Sequence, residues 1–119
     1  MHHKKVLLIS RTTRLHDRMR ELSHELDISI LLATPDTFDQ AIASGNDFGL
    51  VTLDLAGVTG DLVARVSAWS AENGCVPELL VVDEEKLSSL SMPVQGRNDF
   101  ILASAGAAEF EVRMTQLLW

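Results

Sequence analysis

Two hydrophobic patterns alternate along the chain. Val6-Leu7-Leu8-Ile9 is an unbroken run of β-forming residues between charge on one side and Ser10-Arg11-Thr12 on the other, as in a strand buried on both faces. Leu15, Met19, Leu22 and Leu26 then recur at spacings of 4, 3 and 4, a single apolar stripe of a helix. A second strand is predicted over 28–32. Thr34-Pro35 is a helix start, a hydroxyl to cap and then Pro at the first helical position. Phe38, Ala41 and Ile42 supply that helix's inner face, and Gly45 ends it. Leu50-Val51-Thr52-Leu53 forms a third strand closed by Asp54. A loop with Gly57 and Gly60 leads to a helix over about 61–72, with Leu62, Val66 and Trp69 inward, Val63 beside them and Asn73-Gly74 as the stop. Residues 79–82 form a fourth strand. The polar stretch 84–90 is weakly helical and gives way to Met92-Pro93, which disfavours helix. A fifth strand is predicted over 100–102 and a last helix over 109–118, with Phe110, Met114 and Leu117 on one side.

Strands alternating with helices through short connections imply an α/β domain with a parallel sheet covered on both faces. The number and size of the units fit the flavodoxin-like, doubly wound (βα)5 sheet of strand order 2-1-3-4-5. Ligands of such sheets bind at the carboxyl ends of the strands. The residues there are Ser10 and Arg11, Asp54 to Gly57, Val82 and Asp83, and Ala103 and Ser104.

Composition narrows the function. The 119 residues suffice for one domain, and no internal repeat, linker or low-complexity tract divides them. No apolar run approaches a membrane span, and the start Met1-His2-His3-Lys4-Lys5 runs into the first strand without a signal-peptide core, so a cytoplasmic protein is expected. Cys75 has no partner for an intrachain disulfide, and without clustered His a zinc site is not expected. The net charge of −7 argues against a grip on nucleic acid by this segment. The basic cluster Arg11, Arg14, Arg18 and Arg20, interleaved with Asp17, Glu21 and Glu25, reads as a solvated helix face.

The stretch Asn46-Asp47-Phe48-Gly49-Leu50-Val51-Thr52-Leu53-Asp54-Leu55-Ala56-Gly57 resembles the third-strand motif of bacterial response-regulator receiver domains, where an apolar strand delivers the phosphoryl-accepting aspartate. Gly96-Arg97-Asn98-Asp99-Phe100-Ile101-Leu102-Ala103-Ser104, followed by Glu109 to Met114, resembles the receiver's fifth strand and last helix. The resemblance covers essentially the whole chain and rests on joint spacing, since each motif alone is degenerate. It implies a pocket of two acidic residues after the first strand that hold Mg²⁺ with the acceptor, a hydroxyl after the fourth strand and a Lys after the fifth. An anionic transferring phosphoryl group needs such cations and donors. Here the acceptor position holds Asp54, but the acidic pair is Ser10 and Arg11, the hydroxyl position is Val82 and the lysine position is Ala103. Asp83 lies one residue past the hydroxyl position. Hard-cation ligation and conventional phosphorylation are therefore not expected, and a fixed Arg11–Asp54 ion pair is one substitute for the neutralised state. No cofactor or metal is expected.

Receivers of the OmpR/PhoB type dimerise through their fourth helix, fifth strand and fifth helix, here the stretch 84–90, the fifth strand and the last helix. By that resemblance Asp99 of one chain pairs with Arg113 of another, with Arg97 and Glu111 as neighbours. Phe100 fills the aromatic switch position, Asn98 replaces an Asp, and Leu87, Leu90 and Val112 are candidates for apolar burial. The pattern is most similar to atypical orphan regulators such as the global nitrogen-regulator class. It implies a non-catalytic, phosphorylation-independent dimerisation and signal-input domain of a transcription regulator. DNA would be contacted only by an output domain beyond Trp119. The alternative is a stand-alone pseudo-receiver that docks a signalling protein. An enzyme on this fold is the third reading, but the sequence displays no glycine-rich phosphate loop, nucleophile–base pair or metal cluster to support it.

Overall fold

A computed structural model of the chain describes residues 3–43, 47–56, 58–85 and 98–119. The elements are β1 (Lys4–Ile9), α1 (Arg14–Leu26), β2 (Ile28–Ala33), α2 (Phe38–Ala43), β3 (Leu50–Asp54), α3 (Gly60–Glu72), β4 (Glu78–Val82), β5 (Asn98–Leu102) and α4 (Ala107–Leu118). All strand pairs are parallel, and the five-stranded sheet has the order β2-β1-β3-β4-β5. This is the doubly wound arrangement expected from the alternating patterns. The expected helical stretch 84–90 begins with a short 3₁₀ turn at Glu84 and Glu85, and the rest of it, with Leu87 and Leu90, lies outside the described residues.

The strands' apolar runs divide between two cores, because neighbouring side chains on a strand point to opposite faces. On one face Val6, Leu8, Leu50, Leu79, Val81 and Ile101 pack against α1 and α4. The predicted α1 stripe Leu15, Met19, Leu22 and Leu26 and the α4 residues Phe110, Met114 and Leu117 are all buried there. On the other face Leu7, Ile9, Val51, Leu53 and Leu80 meet Phe38 of α2 and Leu62 and Val66 of α3, with Trp69 making edge contacts to Phe38 and Phe48.

Two local expectations need correction. The second helix does not start at Pro35. Residues 34–37 form a turn in which the Thr37 hydroxyl accepts the Thr34 N–H at 2.9 Å, and the helix begins at Phe38. Threonine side chains that satisfy backbone groups locally compete with helix in this way. The arginine-rich face of α1 is not simply solvated, because Arg14 and Arg18 reach over the ends of the strands. The α3 boundaries follow the sequence reading, with Thr59 capping the Leu62 N–H and Gly74 at φ +86° after the C-cap Asn73.

Candidate functional site

The carboxyl ends of β1, β3, β4 and β5 bring Ser10, Asp54, Asp83 and Ala103 together. Thr52 and Asp54 share the face of Leu50, so period-2 alternation aims the Asp54 carboxylate at the side covered by α1. Asp54 and Ser10 are each 1% exposed. The Ser10 hydroxyl donates to Asp54 Oδ2 at 2.9 Å and accepts the Thr12 N–H at 3.2 Å. The Ala56 N–H donates to Asp54 Oδ1 at 3.1 Å. A buried carboxylate must be paired or hydrogen-bonded to stay ionised, and the local chain supplies donors to both of its oxygens.

Among the described residues Arg14, three residues beyond Arg11, brings a cation to this carboxylate. Its Nη2 lies 3.6 Å from Asp54 Oδ1 and 3.5 Å from Asp83 Oδ1, so one guanidinium bridges the ends of β3 and β4. Arg14 is half exposed, and the contacts are longer than good hydrogen bonds. Its main effect is therefore electrostatic and is reduced by solvent screening. Asp83, expected to lie beside the pocket, joins it through this bridge. Val82, expected at the hydroxyl position, is buried and its side chain brings no donor. Ala103, expected at the lysine position, packs against the core.

A second α1 arginine occupies the loop after β5. Arg18 Nη1 donates to the carbonyls of Ala103 at 2.8 Å and Ala105 at 3.1 Å, on either side of Ser104. The guanidinium sits 5.7 Å from the Phe110 ring centroid, a cation–π contact. Positive charge is thus present near the lysine position, but it is committed to backbone carbonyls. Arg14 and Arg18 immediately precede Leu15 and Met19 of the buried stripe. That spacing places them on the flank of the stripe in the first turns of α1, over the carboxyl ends of the strands.

These donors do not fit the hard divalent cation that the resemblance implies. Mg²⁺ demands near-octahedral oxygen ligation. Here Asp54 Oδ2 is engaged by Ser10, while Asp54 Oδ1 and Asp83 Oδ1 face the Arg14 guanidinium. An open cleft of about 400 Å³ beside the site is lined by Asp83, Glu84, Glu85, Ala103 and Ser104. Its three carboxylates oppose the approach of an anionic phosphodonor.

On the β5–α4 face, Arg113 Nη1 donates to Asp99 Oδ2 of the same chain at 2.9 Å, and Nη2 lies 3.8 Å from Glu109. Phe100 is 39% and Val112 is 55% exposed, so this face carries apolar area on both elements. Glu111 is on the same helix, and Arg97 lies outside the described residues.

No protein-family model and no curated protein sequence matches the chain. Solved structures do. A CheY-like response regulator from Mesorhizobium loti superimposes with a TM-score of 0.70 at 20% identity, covering 98% of this chain and 99% of that one. The fold is that of a response-regulator receiver domain. A receiver domain protein from Clostridium thermocellum gives 0.74 at 13% identity, covering 97% and 94%. The N-terminal domain of a three-domain response regulator, sensory box and GGDEF protein from Carboxydothermus hydrogenoformans gives 0.72 at 11% identity, covering 97% and 94%. Within this receiver fold Asp54 ends the third strand, where the acceptor was expected.

Proposed function

We propose that this receiver-fold domain is an atypical signal-input and dimerisation module of a transcription regulator, working without phosphorylation or Mg²⁺ at Asp54. The observation that carries the reading is the engagement of both Asp54 oxygens by the chain itself, Oδ2 by the Ser10 hydroxyl and Oδ1 by the Ala56 N–H and Arg14. A carboxylate so held is a poor nucleophile, and neither Val82 nor Ala103 offers a donor to added phosphoryl oxygens. The pocket acts as a fixed strut joining α1 to β3 and β4. Signal would enter and leave through the protein surface, with DNA contacted only by an output domain outside this chain.

Self-association is proposed on the face made by β5 and α4. The exposed Phe100 and Val112 supply apolar area, and Asp99, Glu111 and Arg113 a charged rim. A two-fold axis repeats each contact. Because Arg113 already has an intrachain partner, apolar burial has to provide most of the affinity. The same intrachain pair favours a second reading, a stand-alone docking module, since the charges need no second copy.

Analytical ultracentrifugation with and without beryllofluoride or acetyl phosphate tests the proposal. A dimer unchanged by either reagent, weakened by Val112→Asp and free of phosphate at Asp54 by mass spectrometry, is the expected result. A stable phosphoryl-aspartate, or saturable amide shifts around Asp54 at low-millimolar Mg²⁺, would overturn the phosphorylation-independent reading. A protein monomeric at high concentration would favour the docking module.

A further inference from the structure

At the opposite end of the sheet from Asp54, His3 is hydrogen-bonded to two side chains at the start of β2, Asp27 and Ser29. His3 Nδ1 lies 3.0 Å from Asp27 Oδ1, and His3 Nε2 lies 2.9 Å from the Ser29 hydroxyl. With its proton on Nδ1, donated to the Asp27 carboxylate, the imidazole presents Nε2 as acceptor to the Ser29 O–H. This is the geometry that activates a serine by a base whose tautomer a carboxylate fixes. We propose that Ser29 is an activated nucleophile and that Asp27, His3 and Ser29 form an acyl-transfer site for small activated carboxylic esters.

The scaffold positions Asp27 and Ser29. Asp27 caps α1 in the left-handed region at φ +52°, sparsely populated by residues other than glycine, and its backbone N–H donates to Ser23 while its carbonyl accepts the Lys4 N–H at 3.3 Å. Such backbone conformations persist where surrounding contacts enforce them. Ser29 is paired in register with Lys5, so both side chains leave the same face of the β1–β2 pair. An open cleft of about 460 Å³, walled by His3, Lys4, Lys5, Asp47, Phe48 and Gly49, adjoins the imidazole, while Ser29 is exposed outside that lining. That volume has room for a short acyl chain or an aryl leaving group.

In the proposed step the Ser29 Oγ–carbonyl carbon bond forms as its proton passes to His3 Nε2, and the carbonyl π pair moves to oxygen. Collapse of the tetrahedral adduct re-forms the carbonyl and breaks the bond to the alkoxy or aryloxy group, which takes the proton from His3. Water, deprotonated by the same nitrogen, then releases the acid and returns the Ser29 hydroxyl. The side chains of His3 and Asp27 are each about half exposed, so the rate gain is below the ~10²–10⁴-fold typical of positioned bases.

The test uses the full chain, 4-nitrophenyl acetate and a fluorophosphonate. The phosphonate forms a bond from Ser29 Oγ to phosphorus with loss of fluoride. Peptide mass spectrometry is expected to place the adduct on Ser29, and the label is expected to disappear in His3→Gln and to weaken in Asp27→Asn. Ester hydrolysis is expected to fall at least roughly tenfold in Ser29→Ala, while Ser23→Ala, a hydroxyl bonded to the Arg20 carbonyl, keeps the full rate. Circular dichroism of each variant separates loss of the site from loss of fold. Adducts only on lysines or other histidines, an unchanged rate in Ser29→Ala, or Ser29 labelling that survives His3→Gln would each overturn the proposal.

Discussion

Replacing Ser10 by Ala removes one oxygen from the carboxyl end of the β1–β3 contact. Ser10 and Asp54 are each 1% exposed, and the Ser10 Oγ to Asp54 Oδ2 bond is 2.9 Å long, so water does not readily take the place of the lost donor. A hydrogen bond to a charged group contributes about 1.5–3 kcal/mol. The Thr12 N–H also loses its acceptor, but Thr12 is exposed and water can replace it. Ala is close to Ser in shape, so the cavity contribution is small. The expected cost is about 2–3 kcal/mol, equivalent to a fall in Tm of roughly 6–15 °C for a domain of this size. Urea denaturation followed by circular dichroism measures it, with an unchanged m value confirming that the native and denatured states stay comparable. The electrostatic part is isolated by repeating the change in Asp54→Asn. A neutral acceptor makes a bond worth only about 0.5–1.5 kcal/mol, so Ser10→Ala should then cost about 1 kcal/mol less. A loss below about 0.5 kcal/mol, the range of a neutral surface change, or an equal loss in both backgrounds, would refute the view that Ser10 holds an ionised Asp54.

Two further changes test the interior. Thr52 is fully buried and its hydroxyl has no hydrogen-bond partner among the described residues; Thr52→Val, of the same shape, should stabilise the fold by about 1 kcal/mol in the same urea assay, and destabilisation would show that the hydroxyl has a partner. Glu78, at the opposite end of β4 from the pocket, is buried with a hydrogen bond from the Ser67 hydroxyl at 3.2 Å. Burial raises its pKa above the usual 4.5, and the Ser67 bond only partly offsets this. Its folded form therefore holds the proton more tightly than the unfolded chain. The associated stability is fully present below pH 4.5 and is lost as pH rises through the elevated value. Glu78→Gln should raise Tm at neutral pH, with the gain shrinking toward pH 4.5; a difference constant across that window would contradict burial as the cause.

Periodicity was enough to determine the architecture of this chain. Runs such as Val6 to Ile9 predict strands covered on both faces, and the stripe Leu15, Met19, Leu22 and Leu26 predicts the inner side of α1. Strand–helix alternation then admits few topologies, because crossovers are short and right-handed. The position of Asp54 at a strand end was legible for the same reason: a charge that closes an apolar run marks where the strand leaves the core. The partner of Asp54 was not legible in this way. Arg14 and Arg18 sit among alternating charges that look solvated in one dimension. Only the packing angle of α1 across the strand ends brings Arg14 to Asp54 and Asp83 and Arg18 to the carbonyls of Ala103 and Ala105. Similarly, Asp99 and Arg113 were recognisable as charged groups, and docking of α4 on β5 sets their contact within the chain. His3, Asp27 and Ser29 carry no sequence signature, since the pairing of β1 with β2 in a particular register brings them together. Hydrophobic patterning acts through the chain's own repeat and survives in the sequence. A long polar side chain's partner depends on how two elements cross, and the tertiary fold alone sets that geometry.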